Sequence, residues 1–289
     1  MATSNTGRKL LIGLLVLCTI FSINVKAQPQ DHPPFFHLSY QGHSAWLLGS
    51  VHLGRADFYP MSDMIEQAFS QAAALVVEAD TDRADAIPLL RQYGMQPVTF
   101  SAKQQQVIAS FCHDKMHFCA PLSAFSPWLQ AVQINLHRYQ AMGYSPQYGV
   151  DQYFMQRRGQ RPLYQLESMA MQYQLLGSLS TQSQWQMLQD AITTPDSEML
   201  ALIHDWRQGK DSALTKLIEG DISDPVQYAL TDKLLWQRNH TMADSIITLL
   251  QQQSNHQPLF IIIGAGHLLG NHSVVQSLRQ SGVSVKTLQ

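Results

Sequence analysis

The chain has 289 residues, 45% of them hydrophobic, with 19 Lys and Arg against 21 Asp and Glu for a formal charge of −2. That is apolar material for a sizeable core and length for one large domain or two small ones. No basic cluster accompanies it, which excludes the electrostatic footprint of a nucleic-acid binder or of a protein held on anionic lipid.

The N-terminus is built in three parts. Arg8 and Lys9 make a short basic start, Leu10 to Ile23 carry no charge, and Val25-Lys26-Ala27 sets small residues first and third before a cut. This order predicts a secretory signal peptide over residues 1–27, with the mature protein starting at Gln28. The apolar run is shorter than the roughly 20 residues of a membrane span, so no stable span is expected after cleavage. Losing Arg8, Lys9 and Lys26 takes the basic count from 19 to 16 against 21 acids, a mature charge of −5. The expected location is the periplasm or cell envelope. Cys112 and Cys119 remain, an even pair that predicts a disulfide in an oxidising compartment.

After Pro33-Pro34, Phe35 to Tyr40 and Ala45 to Ser50 read as two strands of a hairpin around Gln41-Gly42-His43. Pro60-Met61-Ser62 opens a helix through about Ala73, with Ser62 as cap and Ile65, Ala68, Phe69 and Ala72 on one face. Ala74 to Val77 is a short continuous apolar strand of the kind buried on both faces. Helical pattern dominates from Ala84 to Arg158, broken at Pro97, Pro121, Pro127 and Gly143 to Pro146. Pro162 to Leu166 reads as a strand. A long helical stretch then runs from Ser168 to about Gln253, broken near Pro195, Gly209 and Pro225. Leu259 to Ile263 is the clearest buried strand, followed by a helix over His272 to Ser281 and a strand over Val283 to Leu288. The expected fold is α/β: a mixed central sheet built from both ends of the chain, with a large helical insertion over about 84–253. Residues 28–289 are read as a single domain.

Two segments share one scheme. Leu47-Leu48-Gly49-Ser50-Val51-His52 and Ile262-Ile263-Gly264-Ala265-Gly266-His267 are each an apolar strand, a glycine, two residues and a histidine. Glycine lets the backbone turn sharply out of the strand. The imidazole is then carried on rigid backbone at the strand's carboxyl end, the edge where open α/β sheets bind ligands. Glu78 follows Leu75-Val76-Val77, and Glu167 follows Leu163-Tyr164-Gln165-Leu166. If those strands are neighbours, a spacing of roughly 4.8 Å brings the groups within reach of one ion or substrate. Two imidazoles and two carboxylates suit a first-row divalent metal. Other motifs carry less. Gly270 falls one place too late for a G-x-G-x-x-G dinucleotide turn. His113 and His117 have the spacing of H-E-x-x-H with Asp114 where Glu belongs, and are better read as solvated residues beside the disulfide. No G-x-S-x-G elbow is present.

With Gly149-Val150-Asp151, Gln172 and Arg238-Asn239 added in order, the chain resembles the TraB/GumN family, distantly related to the Tiki metalloproteases. The resemblance runs over most of the mature chain. Tiki proteins are regarded as metal-dependent peptidases that use paired G-x-x-H motifs and a glutamate, which implies His52, His267 and Glu78 as metal ligands. It also carries over Glu78, Glu167, Arg238 and Asn239 as catalytic candidates. A glutamate that does not ligate would act as general base, Arg238 would pair with a carboxylate, and Asn239 would donate to an oxyanion or bind metal. The expected function is an exported metal-dependent hydrolase, a peptidase in the first instance. The alternative is a non-catalytic envelope protein that sequesters a peptide or a metal. The expected partners are a peptide or small-molecule substrate and a divalent metal, Mn²⁺ or Co²⁺ ahead of Zn²⁺.

Overall fold

The computed structural model describes residues 31–80, 86–253 and 257–288, so the expected signal peptide lies outside the described residues. Among the latter, six strands form one mixed sheet: β1 (Phe35–Tyr40), β2 (His43–Ser50), β3 (Ala74–Val77), β4 (Leu163–Gln165), β5 (Leu259–Gly264) and β6 (Ser284–Leu288). Their order is β4-β3-β5-β2-β1-β6. β1 runs antiparallel to β2 and β6, while β2, β5, β3 and β4 are mutually parallel. The sheet is thus made from both ends of the chain, as the strand pattern predicts.

The helices are α1 (Asp63–Gln71), α2 (Ala86–Gly94), α3 (Ala102–Cys112), α4 (Met116–Cys119), α5 (Pro127–Ala141), α6 (Val150–Arg157) and α7 (Met169–Gly177), then α8 (Thr181–Thr193), α9 (Asp196–Arg207), α10 (Asp211–Glu219), α11 (Pro225–Thr231), α12 (Gln237–Gln251) and α13 (Val274–Gln280). All from α2 to α12 fall between β3 and β5, interrupted by the short strand β4. This is the predicted helical insertion.

Strand periodicity explains how the sheet is covered. Successive side chains of a strand point to opposite faces. Phe260 and Ile262 of β5 pack with Leu48, Leu75 and Val77 beneath α1, α6 and α9. Ile261 and Ile263 pack on the other face with Leu47, Val76 and the apolar stripe of α12 and α13: Met242, Ile246, Leu250, Val274 and Leu278. Leu122, Ala131, Ile134, Leu188 and Ala191 make a separate core within the insertion. Trp206 of α9 donates its indole N–H to the Gly49 carbonyl at 2.9 Å, tying the insertion to the end of β2.

Two local expectations are corrected. Ser62 stands at the N-cap of α1, but its side chain makes no capping bond. The Glu66 carboxylate instead accepts from the Met61 N–H at 3.0 Å. α1 ends at Gln71 rather than Ala73, because Ala72 is already extended and the Ala73 N–H donates to the Pro258 carbonyl beside β5. Cys112 and Cys119 are joined in a disulfide, and His113 and His117 beside it are exposed. Among the described residues no helix is long and apolar enough to cross a membrane.

Candidate functional site

Because β4, β3, β5 and β2 are parallel neighbours, their carboxyl ends share one edge. Ser50 pairs with Gly264, and Val77 with Ile262. Glu78 therefore leaves β3 beside the point where β5 turns into Gly264–His267, and His52 leaves β2 on the other side. Glu167, two residues beyond β4, donates its N–H to the Glu78 carbonyl at 2.9 Å. The four strand-end residues read from the sequence thus gather at one edge.

Glu78 and His267 face each other, with Glu78 Oε2 3.7 Å from His267 Nε2. A Cβ added at Gly264 would stand 3.6 Å from Glu78 Oε2, 3.7 Å from His267 Cδ2 and 3.8 Å from His52 Nε2. All three groups converge on the space that the absent side chain leaves. They line one pocket of about 370 Å³ together with Ser50 and Arg238.

Each histidine is oriented by a partner at its other nitrogen. Asn239 is buried; its Nδ2 donates to the His272 carbonyl at 2.7 Å, so its Oδ1 is the atom 2.6 Å from His267 Nδ1. An amide oxygen accepts, hence Nδ1 carries the proton and Nε2 turns a lone pair toward Glu78. His52 Nδ1 lies 3.0 Å from Asp151 Oδ2, while Ser50 Oγ donates to Asp151 Oδ1. The Val150 N–H docks on the Val51 carbonyl and holds that loop in place. Asp151 and Gln172 stand out in the sequence only as marks of the resemblance; the structure shows what they touch.

Arg238 lies between two carboxylates. Its Nη2 donates to Glu78 Oε1 and to Glu167 Oε2 at 2.5 and 2.6 Å, and its Nε donates to Glu167. Gln172 Nε2 bridges the same two carboxylates at 2.8 and 3.0 Å. A π-helical turn, Asp232–Trp236, leads directly into Arg238-Asn239; such turns recur at functional sites. Glu167 lines the neighbouring cleft with Met171, Gln172 and Lys233 rather than the histidine pocket. Asn239, expected as an oxyanion donor or ligand, has both ends of its amide engaged in orienting His267.

The electrostatics separate the two histidines. Burial pushes the His267 imidazole down to about 4, against the attraction of Glu78. The Asp151 charge and its hydrogen bond raise His52, whose side chain is 69% exposed. Burial opposes the charge of Glu78, but His267, Arg238 and His52 outweigh it and hold the carboxyl at about 2. Of these, Arg238 is the charge that persists at every ordinary pH.

The donor set can be tested against a metal. Among the described residues no group of three His, Cys, Asp or Glu side chains is placed to hold a metal ion as it stands. The chemistry of the donors nevertheless fits one. Neutral His267 and ionised Glu78 turn acceptor atoms toward each other, an arrangement that repels unless a cation or proton lies between them. Histidines that ligate metal are characteristically held at the other nitrogen by a carboxylate or a carbonyl, the parts taken here by Asp151 and Asn239.

The sequence pattern of the TraB/PrgY/gumN family matches residues 34–287. The chain belongs to that family. Within and around the TraB/PrgY/gumN family it is similar to the uncharacterised protein YbaP of Escherichia coli (strain K12), 24% identical over 242 residues, covering 81% of this chain and 87% of YbaP. Short segments are closer to metalloproteases. Metalloprotease TIKI2 of Danio rerio is 47% identical over 57 residues, 20% of this chain and 11% of that protein. The metalloprotease TIKI homologue of Nematostella vectensis is 42% identical over 57 residues, 19% of this chain and 12% of that protein. The chain therefore matches only about a tenth of the length of these two metalloproteases. No solved structure matches it significantly.

Proposed function

We propose that the protein is an exported, metal-dependent peptidase of the cell envelope. The observation that carries the reading is the convergence of His52 Nε2, His267 and Glu78 Oε2 on the space beside Gly264, with both imidazoles oriented from behind. The local similarity to metalloproteases points the same way. His52, His267 and Glu78 would hold a divalent metal, Mn²⁺ or Co²⁺ ahead of Zn²⁺. Such a metal would supply Lewis-acid polarisation of the scissile carbonyl and acidify the attacking water.

The chain's own residues then have distinct parts. Glu78 is the carboxylate that lines the pocket, and its Oε2 is the oxygen turned toward the two imidazoles. Arg238 and Gln172 hold its other oxygen and keep the carboxylate aimed. Glu167 neutralises Arg238 from behind and fixes its plane. Asn239 and Asp151 hold the two imidazoles in position.

A second reading, sequestration of a peptide or metal without turnover, draws support from the ion pair of Glu78 with Arg238, which holds the carboxyl below its ordinary value and makes it a weak base. Metal content and peptide cleavage of His52→Ala, His267→Ala, Glu78→Gln and Glu167→Gln, at pH 7.5 with Mn²⁺ supplied, separate the two. Cleavage by the wild type, with metal lost in both histidine variants, supports the peptidase. Metal bound by a wild type that cleaves no peptide supports sequestration.

A further inference from the structure

The polar groups of the histidine pocket all come from strand ends and the start of α12. The other helices of the insertion contribute a different surface. Leu202 and Ile203 of α9, Leu214 and Ile218 of α10, Leu235 of the π turn and Tyr139 of α5 complete the lining. No charged side chain enters from α5, α9 or α10. Ile203 and Leu214 are buried and set the shape of the wall, whereas Leu202, Ile218 and Leu235 keep part of their apolar surface open. The wall abuts the chemistry closely. A Cβ at Gly266, one residue before His267, would stand 3.2 Å from Ile218 Cγ2 and 3.6 Å from Leu235 Cδ2. Tyr139, Leu202 and Ile218 also line an adjoining cavity of about 620 Å³, where Asp190, Glu198, Asp221 and Asp224 replace the apolar wall, so an extended chain has room to continue beyond the pocket.

We propose that this wall is a specificity pocket for a bulky aliphatic or aromatic side chain flanking the scissile bond of a peptide. The inference rests on the peptidase reading and adds to it the class of residue that the site selects. Half-covered apolar surface beside reactive groups is stabilised by an apolar occupant. A charged side chain placed against this wall would lose its water and meet only apolar side chains from α9 and α10 in the pocket. Burying one large apolar side chain is worth roughly a tenfold preference or more over glycine.

The test uses the full chain and pentapeptides Ala-Ala-X-Ala-Ala, with X as Leu, Phe, Gly or Asp. Binding is measured calorimetrically in chelator, where turnover is suppressed, and cleavage by mass spectrometry with Mn²⁺. The Leu and Phe peptides should bind roughly tenfold or more tightly than the Gly and Asp peptides. That ratio should shrink in both Ile218→Thr and Leu202→Ala, two half-buried positions probed separately so that a folding defect in one does not decide the matter. Equal binding of all four peptides, a preference for Asp, or no binding of any would overturn the inference. Cleavage of all four at equal efficiency would overturn it while leaving the peptidase standing. Selective binding of Leu and Phe with no cleavage would sustain the pocket and turn the site over to sequestration.

Discussion

At the scale of single residues, Asn239 determines which nitrogen His267 offers, and Asp151 holds the His52 ring at Nδ1. Replacing such a partner leaves the ligand in the chain but frees its ring. Asn239→Ala and Asp151→Ala should each weaken Mn²⁺ affinity by roughly 10- to 100-fold, measured by competition with a fluorescent chelator. Unchanged affinity in both would show that the bonds at Nδ1 do not orient ligands. His267 also sets a pH dependence for the metal-free protein. Its folded value is about 4 against about 6.5 in an unfolded chain. As pH falls through 6.5 the unfolded chain takes up a proton that the folded chain refuses until about 4. The stability contributed by the neutral ring is therefore full above pH 6.5 and lost progressively down to about 4. In chelator, urea midpoints of wild type should fall over this window more steeply than those of His267→Gln; parallel curves would contradict it. The two histidines were legible in the sequence because their motif is local (strand, glycine, two residues, imidazole), and Glu78 because it directly follows an apolar strand. The partners were not, since Asp151 reaches His52 across 99 positions and Asn239 reaches His267 across 28. No local pattern encodes such a meeting.

At the scale of elements, half-buried Glu78 and buried Glu167, at the ends of β3 and β4, share one guanidinium from α12. Breaking such a cluster on one side leaves uncompensated buried charge. Arg238→Met should cost about 3–5 kcal/mol, read from chemical denaturation at pH 7.5, and the loss should be smaller in the double variant Arg238→Met, Glu167→Gln. A single Arg238→Met variant as stable as wild type would mean that the carboxylates find other partners. The disulfide between α3 and α4 closes a short loop, so Cys112→Ser should cost only about 2 kcal/mol. An unchanged denaturation midpoint would contradict that. The strands themselves were legible because β5 is an unbroken apolar run and the hairpin's two strands flank the turn at Gln41-Gly42, where both residues take positive φ. Helix ends were less so: Ser62 has the right identity for a cap, yet the Met61 N–H goes to Glu66, whose carboxylate also takes Tyr153 and Arg157. The place of Glu167 was hidden for a similar reason. Sequence gives its distance from a strand, whereas the facing pocket depends on Arg238 lying between it and Glu78.

At the scale of the whole molecule, the strand ends supply His52, Glu78 and His267, and the insertion supplies both the groups that hold them (Asp151, Arg238 and Asn239) and the apolar wall beside them. The N-terminal order of basic, apolar and small residues predicts export and cleavage after Ala27. N-terminal sequencing of envelope-fraction protein should read from Gln28, and a chain still starting at Met1 would contradict it. The proposed site has His52, His267 and Glu78 acting together on one divalent metal. Its most direct test is elemental analysis of the purified mature protein after incubation with Mn²⁺ and gel filtration, beside His52→Ala and His267→Ala treated alike. Close to one metal per wild-type chain is expected, and sharply less in both variants, with circular dichroism unchanged. Wild-type protein without metal, or variants with the same metal content as wild type, would contradict it.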